Sequence, residues 1–154
     1  MRYLMVDRID EVKKFAHAIG IKCISLSDNC FEHHFPGQPV YPGALLTESM
    51  AQLGGALLEL SLRDIMPQCP RCVVSTVKAK YREFVRPGEL LQMRAEVLAR
   101  HEDSAKVSVV TTRNGQRVCE AEFLFVFLFI DDPQLDAARK DVLNLLIRNT
   151  RFVE

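Results

Sequence analysis

The chain has 154 residues, 48% hydrophobic and 26% charged, and its twenty Lys and Arg balance twenty Asp and Glu to a formal net charge of zero. That length and composition describe one globular domain able to bury a core, and they exclude a disordered, collagenous or polar linker protein. The charge balance excludes a protein that coats nucleic acid or anionic membrane by bulk charge, while leaving room for a local basic patch.

The N-terminal segment Met1 to Arg8 lacks the apolar core and small-residue cleavage site of a secretory signal, so a cytoplasmic location is the expectation. Within it, Tyr3 to Val6 reads as a short strand, and the alternation from Ile19 to Leu26 as a second. Between Phe31 and Gly43, Pro36, Pro39 and Pro42 remove backbone donors and force extended geometry, which predicts an ordered loop. Pro42 and Gly43 then open a helix running through Leu60, apolar on nearly every face as a buried helix is. Gly54 and Gly55 inside it cost about 1 kcal/mol each relative to alanine and permit close packing against a sheet or a partner helix.

Past the Met66-Pro67 break comes Cys69-Pro70-Arg71-Cys72, which has redox or zinc spacing. The motif precedes a strand instead of opening a helix, and the five cysteines are odd in number and scattered, so reduced thiols in a loop are expected. Four strand-like runs follow: Val73 to Val85, Leu90 to Ala99, Lys106 to Thr112 and Arg117 to Ile130. The breakers between them, including Asn114-Gly115, predict an antiparallel meander. Phe123 to Ile130 is continuously apolar, which predicts a strand covered on both faces; at eight residues it falls short of the ~20 that span a bilayer. Asp131-Asp132-Pro133 starts a terminal helix, Gln134 to Arg148, with Leu135, Ala138, Val142, Leu145 and Leu146 as its apolar stripe. The pattern is that of an α+β domain, a sheet wrapped on one central helix, with residues 131–154 as a helical extension of a domain spanning 1–130.

Two groups suit chemistry. His34 lies in the proline-punctuated loop, and Glu48 follows 14 residues later, just inside the buried helix. A carboxyl there is costly unless paired or protonated, and a protonated one can donate, while an imidazole serves as a base near neutrality. The unpaired amides at the helix N-terminus, Gly43 first, point at the loop and suit a developing oxyanion.

The run His34-Phe35-Pro36-Gly37-Gln38-Pro39-Val40-Tyr41-Pro42-Gly43-Ala44-Leu45-Leu46-Thr47-Glu48-Ser49-Met50-Ala51-Gln52 resembles the signature of the 3-hydroxyacyl-[acyl-carrier-protein] dehydratases, the FabZ/FabA type with a hotdog fold. The resemblance extends to Leu4-Met5-Val6-Asp7-Arg8 and to Lys80 through Leu90, covering roughly residues 3 to 130. It implies that His34 and Glu48 are catalytic, that the Gly43 amide binds the thioester carbonyl, and that Gln52 and Val40 belong to the substrate site. It further implies elimination of water to a trans-2-enoyl thioester, no metal or redox cofactor, and an acyl chain delivered on the phosphopantetheine of acyl carrier protein. Because the family builds each site from two subunits, a homodimer or a trimer of dimers is implied.

Lys78, Lys80 and Arg82 alternate on a strand and, with Arg86, form a candidate face for an acidic carrier. His17 and His101 read as surface residues, Met50 and Met93 as core or acyl-channel lining. Against the family pattern, His33 stands where glycine is common, the preceding helix and Pro-His-Arg element are missing, and no tyrosine lies between Pro70 and Val74. Two other readings stay open: a hotdog acyl thioesterase, and a non-catalytic hotdog subunit that binds acyl carriers.

Overall fold

The computed structural model, which describes residues 3–154, wraps a seven-stranded sheet around one long helix. In chain order the elements are β1 (Arg8–Lys13), β2 (His17–Cys23), a 3-10 turn (Asn29–Glu32), α1 (Gly43–Leu62), β3 (Arg71–Tyr81), β4 (Leu90–Arg100), β5 (Ser104–Arg113), β6 (Gln116–Leu128), α2 (Pro133–Leu146) and β7 (Arg151–Val153). The strands lie in the order β3-β6-β5-β4-β2-β1-β7, antiparallel except where β7 runs parallel to β1. This is the hotdog architecture that the resemblance implied. Met1 and Arg2, the first residues of the segment weighed against a secretory signal, lie outside the described residues.

α1 begins where Pro42, at φ −59° and ψ 130°, hands an extended backbone to the helix, and it ends before the Pro67 break. Leu53, Leu57, Leu58 and Leu60 are fully buried, each worth roughly 1.5–3 kcal/mol. The sheet covers one side of α1, and Val6, Ile24, Phe31, Tyr41, Leu143 and Leu146 complete the same core. Of the two helix glycines, Gly54 makes the close approach expected, whereas a Cβ on Gly55 would stand in ordinary contact, 3.6 Å from Phe125. A Cβ on Gly54 would stand 3.2 Å from the Phe125 ring, so its absence lets α1 settle onto β6. At the β5–β6 hairpin, Asn114 and Gly115 both take positive φ, 51° and 81°, the backbone that a two-residue hairpin turn demands.

Several expectations need correction. Tyr3 to Val6 is not a strand; the first strand is Arg8–Lys13, where a bulge between Ile9 and Glu11 breaks strict alternation. The second ends at Cys23, before the expected Leu26. The four later strands do not form a simple meander, because β3 pairs with β6 and not with its neighbour in sequence, β4. β6 is covered on one face only within the chain: Phe123, Phe125 and Phe127 are buried, whereas Leu124 and Leu128 face outward. α2 is turned relative to the expected stripe, burying Leu143 and Leu146 and leaving Leu135 and Leu145 exposed. His17 is no free surface residue, since its Nε2 lies 2.7 Å from Glu11 Oε1 and its side chain is largely covered.

The terminal segment is tied in at several points. Asp132 caps α2 by accepting from the amides of Gln134 and Leu135, with Pro133 in the first turn. Arg71 and Arg139 form ion pairs with Asp136 and Glu59, each at 2.7 Å. Thr150 donates to the Ile9 carbonyl, and Arg151 pairs with Glu11 beside the β7–β1 ladder.

Candidate active site

The loop before α1 folds back on itself. The Phe35 amide donates to the Gln38 carbonyl and the Gln38 amide to the Phe35 carbonyl, closing a tight turn around Gly37, whose φ is +74°. The Val40 amide donates to the His34 carbonyl, and His34 Nδ1 lies 2.7 Å from the Val40 carbonyl oxygen. A carbonyl only accepts, so Nδ1 carries a proton, and in the neutral ring that tautomer puts the lone pair on Nε2, as a general base requires. Val40 thereby acts through its backbone, orienting the imidazole. Phe35 stacks on the same ring at 4.1 Å between centroids, while His33 is exposed.

Tyr41 anchors the other end of the loop. Its amide donates to the Val85 carbonyl at 2.7 Å, and its ring is buried, which pushes the phenol up to about 12. Beyond it, Gly43 is the first residue of α1, and its amide and that of Ala44 have no acceptor among the described residues. Donors free at a helix N-terminus suit a developing negative charge. A Cβ at Gly43 would stand 2.9 Å from the Tyr81 ring, so a side chain there forces that ring to shift. Tyr81 is held there by Thr47, whose hydroxyl lies 2.5 Å from the phenol oxygen and donates to the Gly43 carbonyl at 3.0 Å.

Glu48 is half-buried, not engulfed. Gln52, one turn on, donates from Nε2 to Glu48 Oε1 at 2.9 Å and to the Tyr3 carbonyl at 3.2 Å, while its Oε1 accepts from the Met5 amide at 2.8 Å. One amide side chain thus fixes the carboxylate and staples the N-terminal segment to α1. Tyr3, which sequence reasoning missed, stands close by: burial and then the Glu48 charge push its phenol above the ordinary value. Glu48, Gln52 and Gly55 open onto a cleft of about 670 Å³ floored by α1 and walled by Val73, Val74 and Phe125.

His34 is not on that cleft, and among the described residues no hydrogen bond joins it to Glu48. In the single chain only Glu48 of the two candidate catalytic groups lines the cleft.

The basic face is less free than expected. Lys78 and Lys80 lie opposite Glu122 and Glu120 in the β3–β6 register, and Arg82 Nη2 donates to Glu120 at 2.6 Å. Arg86 is exposed, its guanidinium 5.8 Å from the Phe84 ring centroid. Cys69 and Cys72 are free thiols that burial pushes above the ordinary thiol range, and no cluster suited to a metal ion occurs among the described residues. Met50 and Met93 are fully buried core.

Comparison with known proteins bears on this geometry. The family model for FabA-like domains matches residues 1–122. The 3-hydroxyacyl-[acyl-carrier-protein] dehydratase FabZ of Syntrophotalea carbinolica is 36% identical over 125 residues, 81% of this chain and 84% of that protein. The enzyme of the same name from Clostridium acetobutylicum is 34% identical over 126 residues, 81% and 87%. Among solved structures, a hypothetical thioesterase with coenzyme A from Streptococcus pneumoniae TIGR4 shares the fold at a TM-score of 0.62 and 18% identity, over 78% of this chain and 84% of that one.

Proposed function

The chain belongs to the FabA-like family, whose FabZ members are 3-hydroxyacyl-[acyl-carrier-protein] dehydratases, and from that premise we propose how it performs this elimination. The observation that carries the assignment of roles is the His34 Nδ1 contact to the Val40 carbonyl, which leaves Nε2 as a base.

His34 Nε2 takes a proton from C2 of the 3-hydroxyacyl thioester, and the C–H electron pair passes into the thioester as an enolate. The enolate oxygen sits at the free Gly43 amide, where the helix N-terminus stabilises the charge as it forms. When the enolate collapses, the C3–O bond breaks and the hydroxyl, positioned or protonated by Glu48, leaves as water. Gln52 holds Glu48 in place for that step. The product is a trans-2-enoyl thioester. A base, an acid and an anion hole suffice for this chemistry, so no metal or redox cofactor takes part, and the acyl group arrives on the phosphopantetheine of an acyl carrier protein. Lys78, Lys80 and Arg86 are the cations offered to that acidic carrier, whereas Arg82 is engaged by Glu120. Among the described residues no helix is long and apolar enough to cross a membrane, and the unpaired cysteines agree with a cytoplasmic setting.

The working unit in this reading is a homodimer. β3 pairs on one side only and presents Val73, Val74 and Val77 at its free edge, a surface that a two-fold copy covers by extending the sheet. His34 of one copy then meets Glu48 of the other. The test is to incubate the protein with 3-hydroxyacyl carrier and follow enoyl product and free thiol. Enoyl formation lost in His34→Ala and in Glu48→Ala supports the assignment. When the two dead variants are unfolded and refolded together, half of the dimers carry one intact site, so about a quarter of wild-type activity returns. Thiol release without enoyl would favour the thioesterase reading instead, and no recovery on mixing would refute the shared site. Sizing chromatography separates a dimer from a trimer of dimers.

A further inference from the structure

Glu48, Gln52, Gly55 and Glu59 follow one another at intervals of four, three and four residues along α1. Eleven helical residues make three turns plus about 20°, so all four lie on one face over roughly 16 Å of axis. Three of them line a groove with a polar mouth, which Gly55 narrows least because it carries no side chain where a Cβ would come into contact with Phe125 at 3.6 Å. Glu59 closes the far end. It is only 4% exposed, and its Oε2 accepts from Arg139 Nε at 2.7 Å. Arg139 and Val142 come from α2 and line the same cleft as Glu48. α2 lies beyond residue 122, where the match to the family model ends.

We infer that α2 stoppers the acyl-binding cleft and that the Glu59–Arg139 pair sets the longest chain accepted. This rests on the dehydratase reading above for the identity of the ligand, an acyl thioester with its C3 at Glu48. A neutralised ion pair with a buried carboxylate is a hard wall for hydrocarbon. Displacing Arg139, which keeps a quarter of its side chain exposed, would strand the Glu59 charge out of water, and an apolar tail offers it no partner. An extended chain advances about 1.25 Å per carbon, given bonds near 1.5 Å and near-tetrahedral angles. The helical span less the width of the ion pair then accommodates roughly ten carbons beyond the reacting centre. Neither partner is legible as a specificity residue in the sequence, because the contact joins positions 80 residues apart.

The experiment measures binding of unreactive S-alkyl pantetheine thioethers of increasing length to the full-length protein by calorimetry, with turnover of the matching 3-hydroxyacyl carriers in parallel. Each buried methylene multiplies affinity by about fourfold, so affinity climbs with length until the stopper is reached and then levels. The double variant Glu59→Ala/Arg139→Ala removes both charges together, leaving none unpaired, and moves the plateau to longer chains by at least two carbons. Val142→Phe leaves the ion pair untouched, fills the same end of the groove and moves the plateau the other way. Plateaus unmoved in both folded variants would overturn the inference, as would wild-type affinity that never levels. Wild-type protein that forms no enoyl product while the plateaus shift as described would refute the dehydratase reading and leave the stopper standing.

Discussion

Replacing Gln52 by leucine separates structural from catalytic work in a single side chain. The amide makes three contacts: it accepts from the Met5 amide and donates to the Tyr3 carbonyl and to Glu48. Leucine keeps most of the volume and makes none of them. Met5 is 5% exposed, so its amide loses its acceptor where water reaches it poorly, at a cost of about 1–3 kcal/mol. The other two bonds face the cleft, where water replaces them at little net cost. The total is about 2 kcal/mol, which for a chain of this size lowers the melting temperature by about 4–8 °C. Glu48 loses its tether as well, and misplacement of a reacting group by about 1 Å costs up to 100-fold, so kcat falls by about 10- to 100-fold with KM little changed. Denaturant titration and steady-state enoyl formation read the two effects. Gln52→Glu sharpens the comparison: it keeps an acceptor for the Met5 amide but sets a second carboxylate against Glu48, so it restores stability more than activity. A leucine variant with wild-type kcat would show that Glu48 needs no positioning by Gln52, and an unchanged melting temperature would refute the staple.

Three further outcomes are expected. Gly43→Ala drives a Cβ into the Tyr81 ring, breaks the Thr47–Tyr81 contact and destabilises by about 1–3 kcal/mol, and activity falls with it; a variant as stable and active as wild type would show that the helix start tolerates a side chain. Burial raises the Tyr41 phenol from 10.0 to about 12, so the stability it contributes is intact below its unfolded value and is lost as pH rises toward the folded one. That loss amounts to roughly 3 kcal/mol, and alkaline denaturation of Tyr41→Phe should lack this component. Glu11 is held below the ordinary carboxylate range by its bond to His17 and then by Arg151, so its contribution is present above the unfolded value and is lost as pH falls through the folded one. Acid titration of Glu11→Gln should show a shallower loss than wild type, and equal slopes would count against the ion pair.

What was legible in the sequence was whatever its pattern expresses locally. α1 declared itself through an apolar run opened by Pro42 and Gly43, and the β5–β6 turn through Asn114-Gly115. β1 was hidden because its bulge places Ile9 and Val12, three residues apart, on the buried side, where a period of two does not find them. The placement of β3 beside β6 depends on non-local pairing, which no run of residues encodes. The outward side chains of β6, Leu124 and Leu128, are apolar without being covered in the chain, so composition overstated their burial. At the site, His34, Gly43, Glu48 and Gln52 came from one contiguous motif. Tyr3 and Arg139 reach the same cleft from the two ends of the chain, and nothing in their local sequence marks them.

The two ends of the sheet are unlike, and that asymmetry governs how far copies can associate. β3 offers eleven residues of open backbone, whereas β7 at the opposite end is three residues long, beside the Arg151–Glu11 pair. Edge-to-edge growth needs a docking strand at both ends, and here one end has too few rungs to hold a neighbour. Each copy therefore has a single adhesive end. Joining two such ends consumes both, so association by this route closes at a pair and cannot propagate as a filament. β7 serves as a terminator: deleting residues 147–154 would uncover β1 and give every copy a second adhesive end, and light scattering of that truncated chain should report open-ended growth.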